Sequence, residues 1–170
     1  MKHTISVLVE NKPGVLARVA GLFARRGFNI HSLAVGTTES PNVSRMTIVV
    51  DLPERPLEHV TKQLYKLINV LKVIELDPAS SVERELMLIK VRAVAEVRGK
   101  IIELADVFRA KILDVGADAM TVEVTGAPEK LQAFEDLVEG YGIIELVKGG
   151  RVALARGSKS IKDRTLRVAG

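Results

Sequence analysis

The sequence contains no cysteine and no tryptophan, and only four phenylalanines and two tyrosines among its 170 residues. Without cysteine it can form neither disulfides nor cysteine-based zinc sites, and it has no thiolate nucleophile. With so few aromatics the core must be aliphatic, and few rings are left to stack on nucleic-acid bases. No apolar run approaches the roughly 20 residues that cross a bilayer. The opening Met1-Lys2-His3-Thr4 runs straight into an alternating pattern without a signal-peptide core. A cytoplasmic protein away from the membrane is therefore expected. Catalytic motifs are missing too: there is no Gly-x-Ser-x-Gly elbow and no glycine-rich Walker loop. His3, His31 and His59 fall on different predicted elements without metal-ligand spacing. The acidic pairs Glu83/Glu85 and Glu135/Asp136 lie on polar faces beside bases and read as surface charge.

What is present is apolar patterning. Hydrophobic residues make up 47% of the chain, enough for a folded globular protein. Residues 4–10 alternate as a strand, and Asn11-Lys12-Pro13-Gly14 breaks it. Val15, Leu16, Val19, Leu22 and Phe23 then follow helical spacing. Arg25 and Arg26 suit the negative end of that helix, and Gly27 is a natural residue just past its end. Strands are predicted at 28–37 and 44–51 about a turn at 39–42. A second helix is opened by Pro53 and Pro56 and carries Leu57, Val60, Leu64 and Leu67, and a fourth strand follows at 70–76. After a linker at 77–81 the order repeats. A strand at 85–93 leads to a helix through Ile101, Leu104, Ala105 and Phe108, with strands at 111–115 and 120–125. A helix from Pro128 and a strand at 143–147 complete the unit. The fold class is α+β, two tandem ferredoxin-like βαββαβ domains. We place them at 1–77 and 82–157, with a basic tail at 158–170. Units this small are marginal alone, so an oligomer is expected.

Net charge is +4, and from Lys148 onward seven bases face one acid, Asp163. A nucleic-acid arm is one reading of that tail. A solvated or partner-docking terminus is preferred, because neither stacking aromatics nor a nucleic-acid-binding motif accompanies it.

The candidate site is the strand–turn–helix junction. The first amides of a helix have no partner within it, and the dipole makes that end partly positive, so a carboxylate is a suitable guest. Pro13 presets φ for the first turn, and Gly14 has no Cβ to obstruct a ligand. Asn11 can hold an amino acid's ammonium or carboxylate, or it can simply cap the helix.

This junction resembles the ACT domain, a βαββαβ module that senses amino acids. Its signature is an Asn or Asp, a Pro-Gly-Val/Ala-Leu turn, and Gly-Phe/Tyr-Asn/Asp-Ile after the first helix. Here these are Asn11, Pro13-Gly14-Val15-Leu16 and Gly27-Phe28-Asn29-Ile30. More closely, Leu22-Phe23-Ala24-Arg25-Arg26-Gly27 and Ser44-Arg45-Met46-Thr47-Ile48 resemble the small subunit of acetolactate (acetohydroxyacid) synthase. So do Glu83-Arg84-Glu85-Leu86-Met87, Phe108-Arg109-Ala110-Lys111-Ile112 and Ala153-Leu154-Ala155-Arg156-Gly157 in the second half. The resemblance ends near residue 157.

It implies a non-catalytic regulatory subunit, itself without cofactor or metal. A separate large catalytic subunit would hold thiamine diphosphate, Mg2+ and FAD and condense pyruvate with a second 2-keto acid. The small subunit would activate that enzyme and make it sensitive to valine or a related branched-chain amino acid. The resemblance also implies a homodimer with the effector in its interface. One chain would offer Asn11, Pro13, Gly14, Val15 and Leu16, and the other Asn29, Ile30 and Val35. Val15, Leu16, Ile30 and Val35 are apolar enough to receive an isopropyl group, and the carboxy-terminal domain would dock the catalytic chain. The alternatives are an ACT sensor serving another partner, a nucleic-acid-binding protein using the tail, and an enzyme whose residues escape recognition.

Overall fold

The computed structural model describes residues 1–53 and 57–162. These separate into two compact units. One holds residues 1–82 together with the described residues from Arg151 onward, and the other holds 83–150.

In the first unit β1 (Lys2–Glu10), α1 (Val15–Arg25), β2 (Ile30–Thr37), β3 (Val43–Asp51), α2 (Leu57–Leu64) and β4 (Val70–Leu76) follow in order. The sheet runs β2-β3-β1-β4 and every neighbour is antiparallel, the ferredoxin-like arrangement. Strand alternation sends Ile5, Val7 and Val9 to one face, opposite Ile48, Met46 and Ser44 of β3. Val15, Val19, Leu22 and Phe23 of α1 and Val60 and Leu64 of α2 pack with them in one buried cluster. Both helices therefore cover the same face. Helix α1 ends where Gly27 turns to φ +68, and Phe28 N–H returns to the Phe23 carbonyl at 3.1 Å. That is the glycine-terminated stop its sequence predicts. Pro53 precedes α2 by several residues, and Pro56 lies outside the described residues.

The other sheet face is buried as well, through Thr4, Ser6, Leu8, Thr47 and Val49. Residues 151–162 return to this unit, and strand β9 (Val152–Ala155) belongs to them. Arg151 N–H donates to Ser32 Oγ at 2.8 Å, and Arg45 Nη2 donates to the Ala153 carbonyl at 3.1 Å. Burial pushes the Arg45 guanidinium below its ordinary pKa. Lys162 pairs with Glu39. The expected tail thus begins as part of the first unit, while its residues 163–170 lie outside the described ones.

The segment read as a linker is a short 3₁₀ turn, Pro78–Ser80, capped by Asp77, whose Oδ1 accepts from Ala79 N–H at 3.0 Å. The strand after it, β5 (Ser81–Arg92), starts earlier than its alternation announces. Then come α3 (Ala95–Val107), β6 (Lys111–Val115), β7 (Ala119–Gly126), α4 (Pro128–Val138) and β8 (Ile143–Lys148). The order β6-β7-β5-β8 repeats that of the first unit. Its core joins Met87, Ile89 and Val91 to Ile101, Leu131 and Phe134. Phe108 meets Phe134 edge to face with centroids 5.3 Å apart. Such a pair adds about 0.5–1.5 kcal/mol beyond its buried area.

Candidate functional site

The junction between β1 and α1 is tied to its surroundings at several points. Asn11 N–H donates to the Asn42 carbonyl at 2.8 Å and its Nδ2 donates to the Pro41 carbonyl at 3.0 Å. Asn11 is therefore anchored to the β2–β3 turn and does not cap α1; the capping alternative is not realised. The cap residue is Gly14, at φ +83, and its side lacks any neighbour within 4 Å of where a Cβ would stand. Pro13 precedes the cap, so it shapes the approach to the helix and not its first turn as expected.

Helix α1 has no side-chain cap and no acidic residue in its first turn. Arg18 N–H makes the first i→i−4 bond, to the Gly14 carbonyl at 3.1 Å. The preceding amides of Leu16 and Ala17 thus lie before the helical ladder begins, at an end whose dipole is left unneutralised.

A polar clamp that the sequence reading missed holds this turn in place. Asn69 is buried; its Nδ2 donates to Glu10 Oε2 at 3.2 Å, and its Oδ1 accepts from Arg18 Nη1 at 2.7 Å. Its carbonyl accepts Glu10 N–H at 2.9 Å. Lys12 Nζ lies 2.9 Å from Glu10 Oε2. The hydrogen bond from Lys12, with a second from Asn69, holds the Glu10 carboxyl below its usual range. The one signal available beforehand is a lone amide between apolar Ile68 and Val70.

The apolar candidates divide. Val15 is 4% exposed and belongs to the core, and Ile30 packs against that core. Leu16 and Val35 are 45% and 46% exposed, so these two side chains have surface to offer a ligand. Asn29 is exposed just before β2. Strand β2 is a terminal strand of its sheet, bonded to β3 on one side only. Asn29, Ile30 and Val35 therefore lie on an open edge. Within one copy, among the described residues, no hydrogen bond joins residues 11–16 to residues 29–35.

Elsewhere the histidines have separate partners: His3 with Glu75 at 2.8 Å, His31 with Lys2 at 3.1 Å, and His59 with Arg26 at 2.7 Å. Among the described residues no group of three or more His, Asp or Glu could hold a metal ion, and no helix is long and apolar enough to cross a membrane.

Two ferredoxin-like units, the first with an uncapped helix behind a Pro-Gly turn, define a regulatory chain built on an ACT domain. Comparisons with known proteins agree: residues 5–72 match the AHAS small subunit-like ACT domain, and residues 84–157 match the small subunit of acetolactate synthase. The acetolactate synthase small subunit of Mycolicibacterium smegmatis is 58% identical over 94% of each chain. A probable acetolactate synthase small subunit from Archaeoglobus fulgidus is 61% identical over 94% of this chain and 99% of its own. The crystal structure of the acetolactate synthase small subunit from Thermotoga maritima superposes with a TM-score of 0.86 at 44% identity, covering 94% of this chain and 99% of that one. The chain belongs to the family of acetolactate synthase small subunits, the regulatory and non-catalytic subunits of that holoenzyme.

Proposed function

We propose that this chain activates a separate acetolactate synthase catalytic subunit and confers feedback inhibition by valine. The catalytic chain holds thiamine diphosphate, Mg2+ and FAD, and the assembly works in the cytoplasm. The observation that carries the effector site is the bare amino terminus of α1, with no side-chain cap and no first-turn acid behind the left-handed Gly14. An amino-acid carboxylate satisfies the free amides and complements the dipole. Asn11, fixed by the Pro41 and Asn42 carbonyls, keeps its amide oxygen for the ammonium group. The isopropyl group rests on Leu16 of one copy and Val35 of a second, with Asn29 closing the pocket.

The second copy pairs along the open edge of β2, which buries a row of unpaired backbone groups. Valine stabilises one arrangement of this dimer, and linkage makes the catalytic subunit alter valine affinity in return. Calorimetric titration of the purified chain with valine, alongside its sedimentation, tests the reading. Saturable binding by a dimer is expected. A chain that stays monomeric at all concentrations, or that gives no heat with any branched-chain amino acid, contradicts it.

A further inference from the structure

The outward surface of α1 and α2 has a charge the effector site does not use. Residues 15–26 and 57–69 carry Arg18, Arg25, Arg26, Lys62 and Lys66 against one carboxylate, Glu58. That excess equals the net +4 of the whole chain. Glu58 is already engaged by Lys62 at 2.7 Å. Arg18 and Arg26 meet neutral groups, the Asn69 amide and the His59 ring, each at 2.7 Å. The guanidinium must donate in the second contact, so His59 Nε2 accepts and that ring carries its proton on Nδ1. Other exposed cations of the same unit do find carboxylates: Lys12 has Glu10, Lys162 has Glu39, and the amino terminus has Asp51. Among the described residues, Arg25, Arg26 and Lys66 have none.

These three cations rim a cleft of about 420 Å³ between the helices, floored by Leu22 and Leu67 and completed by Gln63. Beside it Ile68 is 84% exposed, the most exposed of the large apolar side chains among the described residues. It sits on a fixed turn, because Leu67 N–H bonds the Leu64 carbonyl and Val70 N–H bonds the Leu67 carbonyl, both at 3.0 Å. The neighbouring Tyr65 ring is pinned by its hydroxyl to Val73 N–H at 3.0 Å.

We propose that, in addition to the docking expected of the carboxy-terminal domain, this basic helical face docks the first unit onto an acidic patch of the catalytic subunit, with Ile68 as its apolar anchor. The inference rests on the reading that the chain acts on such a subunit. Like charges held together with no carboxylate partner among the described residues favour an oppositely charged partner and steer its approach. A fixed, exposed aliphatic side chain fits a protein pocket, whereas a phosphate backbone offers none.

The test uses the full chain and its catalytic subunit. Arg25→Glu/Arg26→Glu/Lys66→Glu and, separately, Ile68→Ser are compared with wild type by titration calorimetry at low and high salt. The triple variant should bind at least about tenfold more weakly at low salt and lose most of its salt dependence. Ile68→Ser should weaken binding at both salts alike, with valine affinity and melting temperature unchanged in both. Should charge reversal lower the melting temperature, the Gln triple variant replaces it with the same expectation. Wild-type affinity and salt dependence in the triple variant overturn the proposal. So does a triple variant that keeps the catalytic subunit but loses binding to duplex DNA or RNA seen with wild type. If wild type itself never binds the catalytic subunit, the proposed function fails first and the docking face falls with it.

Discussion

At Gly14 the backbone sits at φ +83 with open space where a side chain would go. A substitution there meets no steric wall, so its direct cost is conformational, about 1 kcal/mol for a residue such as Asp that tolerates the left-handed region. The larger effect of Gly14→Asp falls on the ligand. The carboxylate stands where the amino acid's own carboxylate would approach, and neutralises the helix end in its place. The variant should still activate the catalytic subunit but lose most valine inhibition, at least about tenfold in half-inhibitory concentration, roughly 1.4 kcal/mol. Unchanged inhibition would place the effector elsewhere. Residue types at this junction were legible in the sequence, but their roles were only partly so. Val15 and Leu16 read as equal members of one helical stripe, yet a residue 100° further round the helix sits at the rim, and Leu16 is half exposed while Val15 is core. Asn69 gave only the faint signal of a lone amide between apolar neighbours, because its partners Glu10 and Arg18 are distant in sequence and only the fold brings them together.

At the scale of elements, periodicity was informative wherever burial enforced it. Strand β4 has the bounds its apolar run announces, and Gly27 ends α1 where a left-handed residue was needed. Helix α2 stops at Leu64, so Leu67 reaches the core from the following turn and not from the helix. The start of β5 was hidden because its first residues, Ser81 to Glu85, mix polar and charged side chains. The turn joining β1 to α1 offers a pH test. Glu10 is held below the usual glutamate range by Lys12 and then Asn69, so its contribution to the turn is present above the unfolded value, about 4.3. It is lost as pH falls through the lowered folded value. Carboxyl-resolved NMR should therefore show Glu10 titrating below ordinary glutamates, and Lys12→Met should move it back up. A Glu10 carboxyl that titrates normally in wild type would mean that the clamp is not formed in solution.

Over the whole molecule, the duplication was visible in the order of elements, since the same strand–helix rhythm occurs on both sides of residues 77–81. The return of residues 151–162 to the first unit was not. Arg151, Ala153 and Ile161 are buried there, yet β9 is too short to show a period, and a basic segment reads as solvated. Its contacts explain why the polar residues Thr4 and Ser32 stand on a covered sheet face: Arg151 bonds both, at 3.4 and 2.8 Å. The chain as a whole is thus a scaffold that presents a helix end and an open strand edge, and the family to which it belongs supplies the enzyme it regulates. The most direct test of that account is reconstitution with the catalytic subunit, following acetolactate formation with and without valine. The account predicts no turnover by this chain alone, a faster catalytic subunit when the two are mixed, and loss of that gain as valine is added. A catalytic subunit equally active with and without this chain, and indifferent to valine in its presence, would contradict it.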